Sequence, residues 1–185
     1  GKPTVFDARI FTPDTDHPFG WGTVMVVGMR FGGGQINLPA ATTGLSGTTA
    51  SFRSAYIVMD ITNPEVPPKV LAELTSPTIG YTTANPAVWV RSAVDTTTTN
   101  AATVAASEQW LLVFGNGPQN DSPDGARTGA SGATATAANL FVFDLKTKAF
   151  TSSPISLSLS NAFVGDISAV DWDLDFKTDA LYFGT

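Results

Sequence analysis

The segment Tyr56-Ile57-Val58-Met59-Asp60 decides the fold class, because the chain repeats its pattern 84 residues later as Phe141-Val142-Phe143-Asp144. Both copies are short, apolar, rich in β-branched or aromatic residues, and end at an Asp, which is typical of strands bounded by turns. Similar runs lie at residues 23–30, 86–91, 110–114, 140–145 and 181–183, with weaker ones at 69–74 and 149–155. No window of helical length keeps a 3.6-residue apolar period with caps at both ends. The sequence therefore predicts an all-β fold.

Two more landmarks recur at similar intervals. PTVF at residues 3–6 aligns with PAVW at 86–89 and with SAVD at 168–171, and VVG at 26–28 aligns with VFG at 113–115 and YFG at 182–184. These offsets define repeat units of about 3–85, 86–167 and 168–185. Four short strands per unit predict a β-propeller-like arrangement of two complete four-stranded blades plus the start of a third. Because a propeller closes with at least about four blades, we expect the chain to belong to a longer protein.

Composition excludes several classes of function. The chain has 10 Lys and Arg against 16 Asp and Glu, a formal net charge of −6, so it lacks the basic surplus of a nucleic-acid binder. It has no Cys, which excludes disulfide frameworks, thiolate zinc sites and cysteine nucleophiles. No run approaches the roughly 20 apolar residues of a membrane span, so no transmembrane segment is expected in this chain. The first residues do not resemble a signal peptide, so we expect any export signal to lie upstream.

Three polar segments rich in Thr, Ala, Gly and Ser interrupt the strands, at residues 32–51, 95–107 and 117–138. Their composition predicts surface loops. The first and third occupy the same place in their repeats, so we expect both on one rim of the fold. Equivalent insertions either line a binding surface or are tolerated drift in exposed hairpins, and the sequence leaves both open.

The acidic segment at residues 171–179 carries the sharpest chemical pattern in the chain. Asp171, Asp173, Asp175 and Asp179 occupy positions 1, 3, 5 and 9 of a loop, and the backbone carbonyl of Lys177 occupies position 7. Carboxylates so close repel one another unless a cation lies among them, and hard oxygen ligands at this spacing favour calcium. The sequence therefore predicts a calcium site made of these five residues.

Two features depart from an EF-hand. Phe176 stands where such loops prefer Gly, and Tyr182 stands where an EF-hand has its bidentate Glu. The flanking segments are predicted strands, which excludes a helix-flanked EF-hand. The alternative interpretation is an exposed acidic strand and turn, because alternation of Asp with Trp172, Leu174 and Phe176 also fits a two-sided strand.

His17, the only histidine, lies in the segment DHPFGWG at residues 16–22. A general base needs an orienting partner and a nucleophile, and neither is evident near it in the sequence. We interpret His17 as part of the turn that leads into the next strand.

Several motifs in a fixed order resemble one family. They are HPFGWGT at residues 17–23, GMRFGGG at 28–34, AYIVMDITNP at 55–64, GYT at 80–82, VFGNG at 113–117 and the acidic loop at 171–179. Together they are similar to the C-terminal propeller domain of PilY-type type IV pilus biogenesis and tip proteins, over nearly the whole chain. The specificity lies in the order and spacing of the set.

The resemblance implies a modified propeller at the outer surface of a Gram-negative cell, extracellular or associated with the outer membrane at the pilus tip. It implies non-enzymatic roles in pilus biogenesis, surface adhesion and twitching motility. The implied partners are minor pilins or a host or abiotic surface. It also implies that Asp171, Asp173, Asp175 and Asp179 bind a calcium ion that regulates pilus extension against retraction.

Two other functions fit an all-β repeat protein. A quinone-dependent dehydrogenase propeller has repeats resembling the turn at residues 144–150, although Phe150 stands where such repeats carry Trp. A calcium-dependent carbohydrate-binding module would use exposed Trp residues. Fold class alone does not separate these functions.

Overall fold

Antiparallel β-strands form most of the regular structure in the computed structural model, which describes residues 1–32, 36–38, 50–92, 107–118 and 137–185. The predicted all-β fold is confirmed at this level. One 3-10 turn at Pro18–Gly20 precedes the second strand. The described residues contain no helix with the length and apolarity needed to span a membrane.

The first sheet comes from the first predicted repeat. Its strands are β1 (Thr4–Arg9), β2 (Trp21–Gly28), β5 (Tyr56–Asp60) and β6 (Lys69–Leu74), in that spatial order and antiparallel throughout. Between β2 and β5 the chain forms a separate hairpin of β3 (Ile36–Leu38) and β4 (Ala50–Phe52). This hairpin corrects our expectation of a strand-free loop at 32–51, since the alternation Ile36-Asn37-Leu38 favours extended backbone.

The second sheet follows the same plan. It contains β7 (Ala87–Ser92), β8 (Glu108–Gly115), β9 (Asn139–Asp144) and β10 (Ala149–Phe150), and β11 (Ile155–Ser156) also pairs with β9. The single weak strand predicted at 149–155 is therefore wrong, because two short strands lie there. Pro154 precedes β11 and has no backbone N–H to donate to a continuous ladder.

A third, two-stranded sheet pairs β12 (Ile167–Val170) with β13 (Ala180–Phe183). The acidic segment 171–179 connects these two strands. Much of the predicted loops at 95–107 and 117–138 lies outside the described residues, as does most of 32–51. Their exposure and their common rim therefore stay predictions.

The two larger sheets share one register. Gly28 ends β2 and pairs with Tyr56, and Gly115 ends β8 and pairs with Leu140, 84 residues after Tyr56. The residues two before the three aligned glycines pair as Val26 with Thr4, Val113 with Ala87, and Tyr182 with Ser168. The sequence alignment placed Ala169 opposite Ala87, so the third repeat is shifted by one residue from our prediction.

The main core lies between the first and second sheets. Tyr56 packs against Phe114 with ring centroids 4.8 Å apart, and Phe114 stacks on Phe141 at 5.4 Å. The Tyr56 hydroxyl donates a hydrogen bond of 2.8 Å to the Ala84 carbonyl, which satisfies its polar end inside the core. The other buried members are Ala8, Ile10, Val24, Val26, Val58, Leu74, Ile79, Trp110, Leu112, Phe143 and Leu145.

A second core covers the opposite face of the second sheet. Leu112 and Phe114 of β8 face the first sheet, whereas Leu111 and Val113 belong to a cluster with Val164 and, less buried, Leu181 of β13. The second sheet is thus apolar on both faces, unlike β2, where buried and partly exposed residues alternate. The acidic loop is consequently attached to a hairpin that packs on the second sheet.

Polar contacts also join the first two sheets at one edge. The Arg9 guanidinium binds the Glu108 carboxylate through two contacts of 2.6 and 3.1 Å, and lies 5.6 Å from the centre of the Trp21 ring. Trp21 meets Trp110 edge to face at 5.5 Å. Bidentate Arg–carboxylate pairs fix relative orientation as well as contributing energy.

Candidate metal centre

The candidate site is the loop at residues 171–179, whose base is fixed by backbone hydrogen bonds. The Asp179 N–H donates to the Val170 carbonyl at 2.9 Å and closes the loop. Thr178 donates its N–H to the Val90 carbonyl at 2.9 Å, and its hydroxyl accepts the Val90 N–H at 3.1 Å. The loop is therefore tied to β7 of the second sheet as well as to its own hairpin.

Three of the four predicted carboxylates converge. Asp171, Asp173 and Asp179 each present an oxygen, and the three oxygens lie within 4.8 Å of one another. Oxygens on opposite sides of a calcium ion lie about 4.6 to 5.2 Å apart, since each calcium–oxygen bond is about 2.3 to 2.6 Å. Three oxygens at this separation therefore fit ligands of one calcium ion.

Backbone N–H groups of the loop hold these carboxylates in place. Asp171 accepts from the N–H of Asp175 at 3.2 Å and of Phe176 at 2.8 Å. Asp173 also accepts from the Asp175 N–H at 3.2 Å, and Asp179 accepts from the Trp172 N–H at 2.7 Å. The carboxylates thus lie inside a curled loop.

The curl requires left-handed backbone at two non-glycine residues. Leu174 has φ of 61° and Phe176 has φ of 67°. This region favours Gly, because a Cβ crowds the backbone there. The sequence pattern had already marked Phe176 as standing in a Gly position, and the backbone shows why that position prefers Gly.

Asp175 and Lys177, both in the predicted ligand set, pair with each other instead of joining the three-carboxylate group. The Lys177 ammonium and its backbone N–H both bind the Asp175 carboxylate. These hydrogen bonds lower the pKa of Asp175. The hydrogen bond to Asp175 raises the pKa of Lys177, and the charges of Asp173 and Asp171 add to this effect. Lys177 therefore supplies a positive charge beside the three carboxylates.

The outer side of the loop is apolar. Trp172, Leu174 and Phe176 alternate with the carboxylates and are 68%, 77% and 88% exposed. The alternation predicted from the sequence is therefore present, with the acidic residues inside the curl and the apolar side chains in solvent.

A second polar cluster, which sequence reasoning missed, surrounds His17. Its Nδ1 lies 2.9 Å from Asp14 and its Nε2 lies 3.0 Å from Asp60. The Asp14 contact was within reach of sequence reasoning, because it joins residues three apart in a turn. The Asp60 contact joins residues 43 apart and depends on strand pairing. No protein family, curated protein or solved structure was found to match the chain.

Proposed function

We propose that the chain is a calcium-binding, non-enzymatic propeller module of a type IV pilus assembly or tip protein. The observation that carries the calcium part is the convergence of Asp171, Asp173 and Asp179 within 4.8 Å. Three carboxylates at this distance repel one another, and a divalent cation relieves that repulsion while bonding to oxygen. We keep Asp175 and the Lys177 carbonyl as further ligands, available once the Asp175–Lys177 ion pair opens.

The propeller part is supported by how the sheets repeat. The first two sheets have equivalent registers at the Gly28 and Gly115 ends, and each stacks its face on the next sheet along the chain. Successive four-stranded sheets stacked in this way are the construction principle of a propeller. On this proposal the sheets at 3–85 and 86–167 are complete blades and 168–185 opens a third.

The pilus part is supported by the ordered motif resemblance. The proposal places the module outside the cell or at the outer membrane, at the pilus tip, where it acts in pilus biogenesis, adhesion and twitching motility. Its partners are minor pilins or a host or abiotic surface. Purified minor pilins offered to the immobilised chain, with and without calcium, test this part. Failure of every pilin to bind in both conditions would contradict it.

Calorimetry of calcium binding tests the site directly. We expect one calcium ion to bind and to raise the melting temperature, since binding only the folded state stabilises it by about 2.7 kcal/mol at a hundredfold excess over Kd. Asp171→Asn and Asp179→Asn should abolish both effects. Glu65→Gln removes the same charge from an exposed site elsewhere and is the matched control. Absence of binding up to millimolar calcium would overturn the site.

A calcium-dependent carbohydrate-binding module is the second candidate, favoured by the exposed indole of Trp172 beside the acidic loop. An exposed aromatic ring provides a flat apolar surface with a polar tip, which suits a sugar face. A glycan array probed with the wild type and Trp172→Ala separates the two candidates. Calcium-dependent glycan binding that Trp172→Ala removes would favour the carbohydrate module.

A further inference from the structure

The His17 ring is enclosed on every side by described residues of the first repeat. It stacks on Phe11 with ring centroids 4.0 Å apart. Gly22 of β2 lies beneath it, and a Cβ at Gly22 would be 2.8 Å from the ring and 2.5 Å from Phe11. The side chain is only 12% exposed, so the ring has a fixed place in the fold.

Both nitrogens of the ring face carboxylate oxygens. Asp14 lies in the same loop and approaches Nδ1, and Asp60 at the end of β5 approaches Nε2. An ionised carboxylate only accepts hydrogen bonds, so each ring nitrogen must carry a proton to make a favourable contact. A neutral imidazole carries one such proton, and the charged ring carries two. Only the charged ring satisfies both contacts.

The carboxylates facing the ring are held in their ionised form. Burial of the Asp60 carboxyl opposes ionisation, but hydrogen bonds from the Thr62 hydroxyl at 2.6 Å, from its N–H at 3.0 Å and from His17 outweigh it and lower the pKa of Asp60. A hydrogen bond from the His17 N–H lowers the pKa of Asp14. A neighbouring carboxylate, Asp16, accepts from the Asn63 amide at 3.1 Å.

We propose that His17 is a pH-sensitive latch, which holds the segment at residues 11–20 against the end of β5 while its ring is doubly protonated and loosens it when one proton leaves. Loss of either proton leaves a ring lone pair facing a carboxylate, which converts an attraction into a repulsion. The contact to Asp60 is the side-chain link from this ring to the sheet. The latch goes beyond the proposed function and does not depend on calcium or on the acidic loop.

The latch has a defined direction. Its contacts are complete at acid pH and are lost as the pH rises through the titration of the imidazole, which for histidine falls between about pH 5 and pH 8. The two carboxylates stay ionised across this range. Because the rest of the first sheet is held by strand pairing and the apolar core, the change should stay local to residues 11–20.

Hydrogen exchange with NMR detection on the whole chain tests the latch. Because the chain has one histidine, one imidazole resonance reports its proton loss. We expect amides of the segment at 11–20 to lose about two- to tenfold in protection, corrected for intrinsic exchange, as that resonance titrates, the range expected for one net hydrogen bond. The Leu112 amide in β8 should not change and serves as the internal reference.

Two variants complete the test. His17→Gln keeps a side chain that donates hydrogen bonds but does not titrate, so the pH dependence of the loop should vanish. Asp60→Asn removes one carboxylate and should weaken the pH dependence while its oxygen still accepts from Thr62. Equal protection on both sides of the imidazole titration, or the same pH dependence in His17→Gln, would overturn the latch.

Discussion

Gly115 lies directly against the side chain of Val164, which is fully buried. A Cβ added at Gly115 would lie 2.0 Å from Val164 Cβ and within 2.7 Å of both its methyl groups. No real side chain tolerates such distances, so Gly115→Ala must displace Val164 or the end of β8. Overpacking of this kind costs about 1 to 3 kcal/mol, and we expect a loss of that size in the free energy of unfolding.

Chemical denaturation measures this loss, and two further variants define its cause. Gly184 occupies the aligned position of the third repeat, and a Cβ there would meet nothing within 4 Å, so Gly184→Ala should change stability little. Val164→Ala in the Gly115→Ala background should recover part of the loss, because the two residues are in contact. Additive effects of the two substitutions would show that the clash is not the cause.

The strand positions could be predicted because their determinants are local. Alternating β-branched residues and terminal Gly or Asp residues mark β2, β5, β8 and β9, and the recurrence of these marks gave the register offset of 84 residues. The one-residue shift at Ser168 could not be predicted, since Ser168 and Ala169 fit an edge strand equally well. The break between β10 and β11 depends on Pro154, whose effect the apolar pattern does not reveal.

The candidate site was predictable to the same extent. Spacing alone marked the acidic loop, because carboxylates at alternate positions lie on one side of extended or curled backbone. Spacing did not reveal that Lys177 binds Asp175, since a flexible ammonium can reach any carboxylate of the loop. The His17–Asp60 contact follows from the pairing of β2 with β5, which no local pattern contains.

Phe176→Gly should stabilise the acidic loop. Phe176 has φ of 67° and is 88% exposed, so Gly relieves backbone strain without removing buried surface. A left-handed conformation costs a non-glycine residue about 1 to 2 kcal/mol, part of which the greater freedom of Gly in the unfolded chain offsets. We expect a gain of about 1 kcal/mol in denaturant unfolding. Trp172→Gly is the control, because Trp172 is not among the residues with positive φ and should lose stability.

Lys177→Gln should tighten calcium binding, provided that the proposed site exists. The Lys177 ammonium already neutralises part of the charge of Asp175, Asp173 and Asp171, so a calcium ion must compete with it. An exposed ion pair contributes about 0.2 to 1 kcal/mol, which corresponds to about a 1.4- to fivefold decrease in Kd. Isothermal titration calorimetry measures the change. Lys69→Gln removes the same charge from β6 and should leave Kd unchanged, so an equal decrease in both variants would contradict a local effect.

Stability should fall in acid partly through Asp60. Hydrogen bonds from Thr62 and His17 outweigh burial and hold the pKa of Asp60 below its ordinary value of 3.8, so near this pH the unfolded chain binds more protons at Asp60 than the folded chain does. The stabilisation by Asp60 is therefore fully present above its ordinary pKa and is lost as the pH falls through the lower folded value. Urea unfolding from about pH 6 down to about pH 2 should show a steeper loss in the wild type than in Asp60→Asn, which keeps an acceptor for Thr62 but does not ionise. Glu65→Gln, at an exposed carboxyl, should retain the wild-type slope. Parallel curves for the wild type and Asp60→Asn would show that the hydrogen bonds to Asp60 do not favour its ionised form.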